Sequence, residues 1–198
     1  MPPEAAANRR RGVYPGSFNP PTVAHLAVSE AARREHRLDV VVWTVSRVAL
    51  AKESVARPRL ADRMAVLAEV AEGFDWLEAA LVDAQLLSDI AAGFDVVIMG
   101  ADKWHQIHDV AFYDGDPDRR DASIAALPTV AVAPRPPHET PPELALELAP
   151  EVAAISSTDA RQGDRAAMLD AAARFDAATG AWTDPARYDR RRQTQPDG

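Results

Sequence analysis

Apolar positions along the chain fall into two alternating kinds of run. Residues 39–44 place Val40, Val41, Val42 and Trp43 in succession, a short continuous run of the sort buried on both faces of a parallel sheet. Residues 94–100 and 128–133 repeat it, residues 11–14 begin a first strand, and residues 76–80 and 152–155 are weaker copies. Between them, residues 24–36, 59–72, 83–92 and 164–174 carry the helical period, the last with Met168, Leu169, Ala172 and Phe175 on one stripe. Strands alternating with helices predict an α/β fold, a Rossmann-like doubly wound parallel sheet with right-handed crossovers. Ligands of such sheets sit beyond the carboxyl ends of the strands.

A length of 198 residues suits one domain. Residues 1–10 have a leader-like composition and are expected to be disordered, residues 11–184 form the domain, and the tail from Pro185 to Gly198 is expected to fray. Residues 114–121 read as a solvated turn and residues 134–142 as an extended proline-rich loop. The net charge of −8 argues against a polymeric nucleic-acid partner, so any phosphate binding must be local. Cysteine is absent, which excludes disulfides and thiolate metal sites. No apolar run is long enough to span a membrane and the leader has no apolar stretch, so a cytoplasmic protein without a membrane partner is expected. Of the 22 basic residues 20 are arginine, which makes Lys52 and Lys103 candidates for a special role, because a compact ammonium and a planar guanidinium are different phosphate ligands.

Chemistry concentrates at the ends of the predicted strands. Tyr14, Gly16, Ser17 and Phe18, followed by Asn19-Pro20-Pro21, stand at a strand-to-helix turn. Glycine there lets the backbone approach a ligand, and the first N–H groups of the helix face an anion. Thr22 and His25 share a face of that first turn, where a hydroxyl and an imidazole can meet one phosphate chain. Near the other end, Ser156, Ser157 and Thr158 open a helix that carries Arg161 one turn on; the hydroxyls can cap free N–H groups or bond anionic oxygens. Gly100 and Asp102 follow the run at 94–100, and the Asp102 carboxylate can bond ribose hydroxyls or cap the next helix. Residues 45–53, with Lys52, form a loop leading to the helix of Arg63; the alternatives are phosphate binding and a solvated charged loop. Trp104 can stack on a ring or pack into the core. His105 and His108 lie three apart with no third ligand at metal spacing, so no resident metal is expected.

The segment around His25 resembles the Gly-x-Phe-(Asn/Asp)-Pro-x-(His/Thr)-x-Gly-His signature of the nucleotidylyltransferase superfamily, and Ile155 to Arg161 resembles its Ile-Ser-Ser-Thr-x-x-Arg motif. Gly100-Ala101-Asp102 looks like the nicotinamide or nicotinate mononucleotide adenylyltransferase branch. The resemblance covers residues 12 to about 175. It implies transfer of AMP from ATP to a pyridine mononucleotide, giving NAD or its acid analogue and pyrophosphate, with Mg²⁺ carried by ATP. His25, Thr22, Lys52 and Arg161 would be catalytic. Tyr14, Gly16, Ser17, Phe18, Gly100, Asp102, Ser156, Ser157 and Thr158 would bind nucleotide. Trp43, Thr44, Arg63, Lys103 and Trp104 would face the acceptor. Alternatives are a phosphopantetheine or cytidylyl acceptor, or a nucleotide-binding homologue that has lost catalysis; a homo-oligomer is left open. Thr22 in place of the commoner histidine, Ala24 in place of glycine, Ala160 in place of a branched residue, and Gln162-Gly163 depart from the pattern.

Overall fold

The computed structural model describes residues 9–47 and 57–194. Its frame is one all-parallel sheet of order β3-β2-β1-β4-β5, with β1 Arg11–Pro15, β2 Val40–Ser46, β3 Leu77–Val82, β4 Val96–Gly100 and β5 Thr129–Ala133. Val13 lies opposite Val42 on one side and Val97 on the other, so the apolar runs sit side by side. Both faces are covered. Tyr14, Trp43, Val96 and Ile98 pack with α1 (Val23–His36), α2 (Leu60–Ala71) and α8 (Asp170–Thr179). Val13, Val97, Met99 and Val132 pack with α3 (Leu87–Ala91), α4 (Ala101–Gln106) and α5 (Pro117–Ala125). This is the single-domain, doubly wound α/β architecture expected from alternating strand and helix patterns.

Four local expectations are corrected. Residues 152–155 contribute no strand: Pro150–Ala153 is a short helix, α6. The edge of β5 is taken by residues 144–146, through Val132 N–H to the Leu144 carbonyl at 2.7 Å and Leu146 N–H to the Val132 carbonyl at 2.9 Å. Residues 164–174 do not form one helix. Thr22 and Met168 make an antiparallel bridge and Leu169 N–H bonds the Pro21 carbonyl, which holds this backbone extended until α8 starts at Asp170. The acidic stretch at 114–121 is partly helical, because the Asp116 side chain caps α5 by accepting from the N–H groups of Asp118 and Arg119, with Pro117 at the first position. Finally, Pro185–Thr194 is a helix, α9. Its Tyr188 is buried, donates to Asp62, and accepts from Arg59 N–H at 3.0 Å, while Asp189 pairs with Arg57 at 2.5 Å. A buried tyrosine with both hydroxyl bonds satisfied fixes a segment whose composition alone reads as solvated.

Candidate active site

Strand order reverses between β1 and β4, and the helices that follow them go to opposite faces, which opens a crevice beyond their carboxyl ends. Tyr14, His25, Gly100, Arg135 and Ala153 line a narrow cleft there. The β1–α1 turn is built around Phe18, which is buried with a left-handed φ of 44° and stacks on Trp43 at 4.8 Å. That backbone state is disfavoured for a bulky residue and persists because the ring is clamped. A side chain at Gly16 would press on the clamped Phe18 ring at 3.0 Å, so glycine leaves that ring undisturbed.

Four carbonyls of this turn are held from outside. Arg63 Nη1 donates to the Ser17 carbonyl at 2.9 Å, Arg161 Nη1 to that of Asn19, Ser157 Oγ to that of Pro20 at 2.9 Å, and Leu169 N–H to that of Pro21 at 3.2 Å. The two motifs near opposite ends of the sequence are therefore bonded directly to each other.

His25 is oriented by Thr22, the residue that caps α1. Thr22 N–H donates to His25 Nδ1 at 3.0 Å, and the wholly buried Thr22 hydroxyl lies 2.8 Å from the same nitrogen. A backbone N–H can only donate, so Nδ1 is the acceptor and the ring proton resides on Nε2. Burial, with the positive charge of Arg135 added, pushes the His25 pKa down to about 4. The side chain is thus a neutral donor at neutral pH. Thr22 is committed to the ring rather than to an open face, which makes it the orienting partner of His25. Burial also raises the Tyr14 hydroxyl well above the usual tyrosine range, leaving it an uncharged donor on the same cleft.

The second motif is arranged differently. Its helix α7, Ser157–Arg161, has only five residues and stops before Gly163, whose φ is +117°. Ser156 caps α7, accepting from Asp159 N–H and donating to Asp159 Oδ2 at 2.6 Å. Thr158 Oγ1 accepts from Arg161 Nη2 at 3.0 Å. Beyond β4, the Asp102 carboxylate folds back so closely over Gly100 that a Cβ there would lie 2.4 Å from it. Lys103 donates to Gln106, and Trp104 packs in part against the second core cluster with its ring 4.4 Å from that of His108.

The residues expected to face an acceptor separate. Trp43 is fully buried with its indole N–H on Ser29 Oγ at 2.8 Å, so it is core and not a ligand surface. Thr44 is buried at the end of β2 with Oγ1 unpartnered among the described residues. Arg63 is 93% buried, and no carboxylate pairs with it among the described residues. Lys52 lies outside the described residues. Arg135 belonged to no motif, although an arginine just past the end of β5 occupies the place where such sheets bind ligands. Among the described residues no cluster of His, Cys, Asp and Glu could hold a metal, and no helix is long and apolar enough to cross a membrane. Comparison with curated proteins finds no match. The family model described as cytidylyltransferase-like matches residues 13–163, which takes in both turns, most of β1 and all of the other four strands. With the switch-point cleft, the neutral His25 and the knitted pair of motifs inside that match, the chain belongs to the cytidylyltransferase-like family of nucleotidyltransferases.

Proposed function

We propose that the protein transfers AMP from ATP to nicotinamide or nicotinate mononucleotide, releasing pyrophosphate. An oxygen of the acceptor's 5′-phosphate would attack the α-phosphorus of ATP, the bond from that phosphorus to the oxygen bridging to the β-phosphorus would break, and pyrophosphate would carry away the electron pair. Such a transfer needs alignment and charge stabilisation more than covalent help. The observation that carries the proposal is the fixed, neutral Nε2–H of His25 at the first turn of a 14-residue helix beside Arg135. A donor whose partner atom is already locked loses no orientational freedom when charge develops on the α-phosphoryl oxygens. Arg135 would meet the phosphates across the cleft, and Arg63 would add positive charge toward the acceptor. Gly100 and Asp102 fit a nucleotide sugar. Mg²⁺ would arrive with ATP, neutralising phosphate charge and keeping most of its waters.

A second reading is a nucleotide-binding protein without turnover. It is favoured by the engagement of Ser157 and Arg161 with carbonyls of the β1–α1 turn, which leaves them less free for phosphates. Incubating the protein with ATP or CTP, Mg²⁺ and a panel of acceptors, with products identified by mass, separates these outcomes. NAD or its acid analogue is expected. Dephospho-coenzyme A or a cytidylyl product would replace the acceptor and leave the family intact, and ATP binding with no product would favour the second reading.

A further inference from the structure

The family match ends at residue 163, yet the following segment reaches back to the β1–α1 turn. Trp182 is buried, and its indole Nε1–H donates to the side-chain Oδ1 of Asn19 at 2.6 Å. Because an indole N–H only donates, the Asn19 oxygen must face it and the amide nitrogen must face away. The two Nδ2 hydrogens of Asn19 have no partner among the described residues. Arg161 meanwhile holds the backbone carbonyl of the same residue, so Asn19 is fixed at both ends.

Trp182 is itself held by an unusual anchor. Asp176, wholly buried, accepts from the backbone N–H groups of Trp182 at 2.8 Å and Thr183 at 2.9 Å, from the Thr183 hydroxyl at 2.6 Å, and from Arg165 at 3.3 Å. Gly180, at φ +76°, turns the chain so that Ala181 to Thr183 can close over that carboxylate. Phe175 supports the indole edge-on, with ring centroids 5.8 Å apart. A buried carboxylate satisfied on both oxygens, one glycine turn and one aromatic contact all converge on the direction of a single N–H.

From these contacts we infer that Trp182 is a positioning residue, which acts through Asn19 to hold the β1–α1 turn and to present the Asn19 amide as a donor to an anionic phosphate oxygen. The role at the phosphate rests on the proposed nucleotidyl transfer; the hold on the turn does not. The segment after residue 163 is then part of the site's machinery rather than an appended cover.

Trp182→Phe keeps an aromatic ring against Phe175 while it removes the N–H and part of the buried indole volume, and Thr183→Val is a milder variant that loosens the anchor should Trp182→Phe fold poorly. In the ligand-free full-length protein, amide hydrogen exchange of residues 16–22 is expected to accelerate at least tenfold in Trp182→Phe while that of residues 40–46 is unchanged. Equal protection of residues 16–22 in both proteins overturns the hold on the turn. With ATP and the acceptor identified above, kcat is expected to fall about tenfold in Trp182→Phe with a smaller change in KM, and to fall no further when Trp182→Phe is added to Asn19→Ala. Independent, multiplying losses overturn action through Asn19. If the wild type turns over no acceptor, the nucleotidyl-transfer proposal fails separately. The readout is then the Asn19 side-chain amide resonance, which should move on adding Mg-ATP in the wild type and stay put in Trp182→Phe; identical responses overturn the inference.

Discussion

The starts of α1 and α7 are both motif-bearing turns beside the same cleft, and they have opposite constructions. At α1 the helix is 14 residues long, its cap is wholly buried, and the cap's N–H and hydroxyl both point at one ring nitrogen of His25. At α7 the helix has five residues, Thr158, Asp159 and Arg161 are exposed, and side chains bond to carbonyls of the other turn. One turn is a rigid mount for a donor; the other is a clamp that keeps the mount in place. Two stretches that look equally phosphate-directed in sequence can therefore divide presentation and support between them.

His25→Ala would break the comparison most severely. Loss of one preorganised donor costs on the order of 100- to 1,000-fold in turnover at sites of this kind. The expected outcome is that loss with little change in ATP affinity, measured on a preparation whose melting temperature stays within a few degrees of the parent. A large fall in melting temperature with turnover per folded molecule nearly intact would reduce His25 to a packing residue.

Arg161→Ala should come next, because it removes the tie on Asn19 and an exposed cation together. A hydrogen bond to a charged group is worth about 1.5–3 kcal/mol, or roughly ten- to a hundredfold. If α7 is a clamp, kcat and KM for ATP should both worsen, and hydrogen exchange in residues 16–22 should quicken. A change in KM alone would return Arg161 to simple phosphate binding.

The pH response sharpens the account of α1. His25 has its pKa lowered from 6.5 to about 4 in the folded protein, so on acidification the unfolded chain takes up its proton first. The stability contributed by neutral His25 is complete above about pH 6.5 and is lost as pH falls toward about 4. Ring resonances followed by NMR should accordingly show no titration of His25 between pH 8 and 5.5. A midpoint near 6.5 would mean that the ring is solvated and its tautomer is not locked.

Ser156→Ala carries the smallest expected effect. Removing a serine cap costs about 1 kcal/mol, seen as a few degrees in melting temperature, and turnover should hold within about twofold. A tenfold loss of turnover would make α7 a phosphate mount like α1.

The sheet was legible because Val40 to Trp43 and the runs like it are buried on both faces and show their burial as unbroken apolar sequence. Residues 152–155 carry a similar signal yet form no strand, and Val152 and Ala153 end the short helix α6, since strand formation also requires a free edge and residues 144–146 already occupy the one at β5. The position of His25 could be read from its spacing to Thr22. Its protonation state could not, because that depends on burial beneath neighbouring elements and on Arg135, which reaches the same cleft from just past the end of β5. Trp43 misled for a related reason: an aromatic at a strand end reads as a ligand platform until Ser29 and Phe18 are seen to occupy both its polar edge and its face. The grip of Trp182 on Asn19 spans 163 positions and leaves no local pattern at all.

The Asp102 carboxylate lying over Gly100 ties together the mutational fates of two positions. Any side chain at 100 would have to occupy the space of that carboxylate, and since Asp102 is exposed the chain can yield by swinging it into solvent with little harm to the fold. Replacement of Gly100 is thus silent in stability and loud in whatever the carboxylate touches. A lineage that stops using Asp102 becomes free to vary at 100 as well, whereas one that still uses it must keep both. Glycine and aspartate here behave as a single two-residue letter.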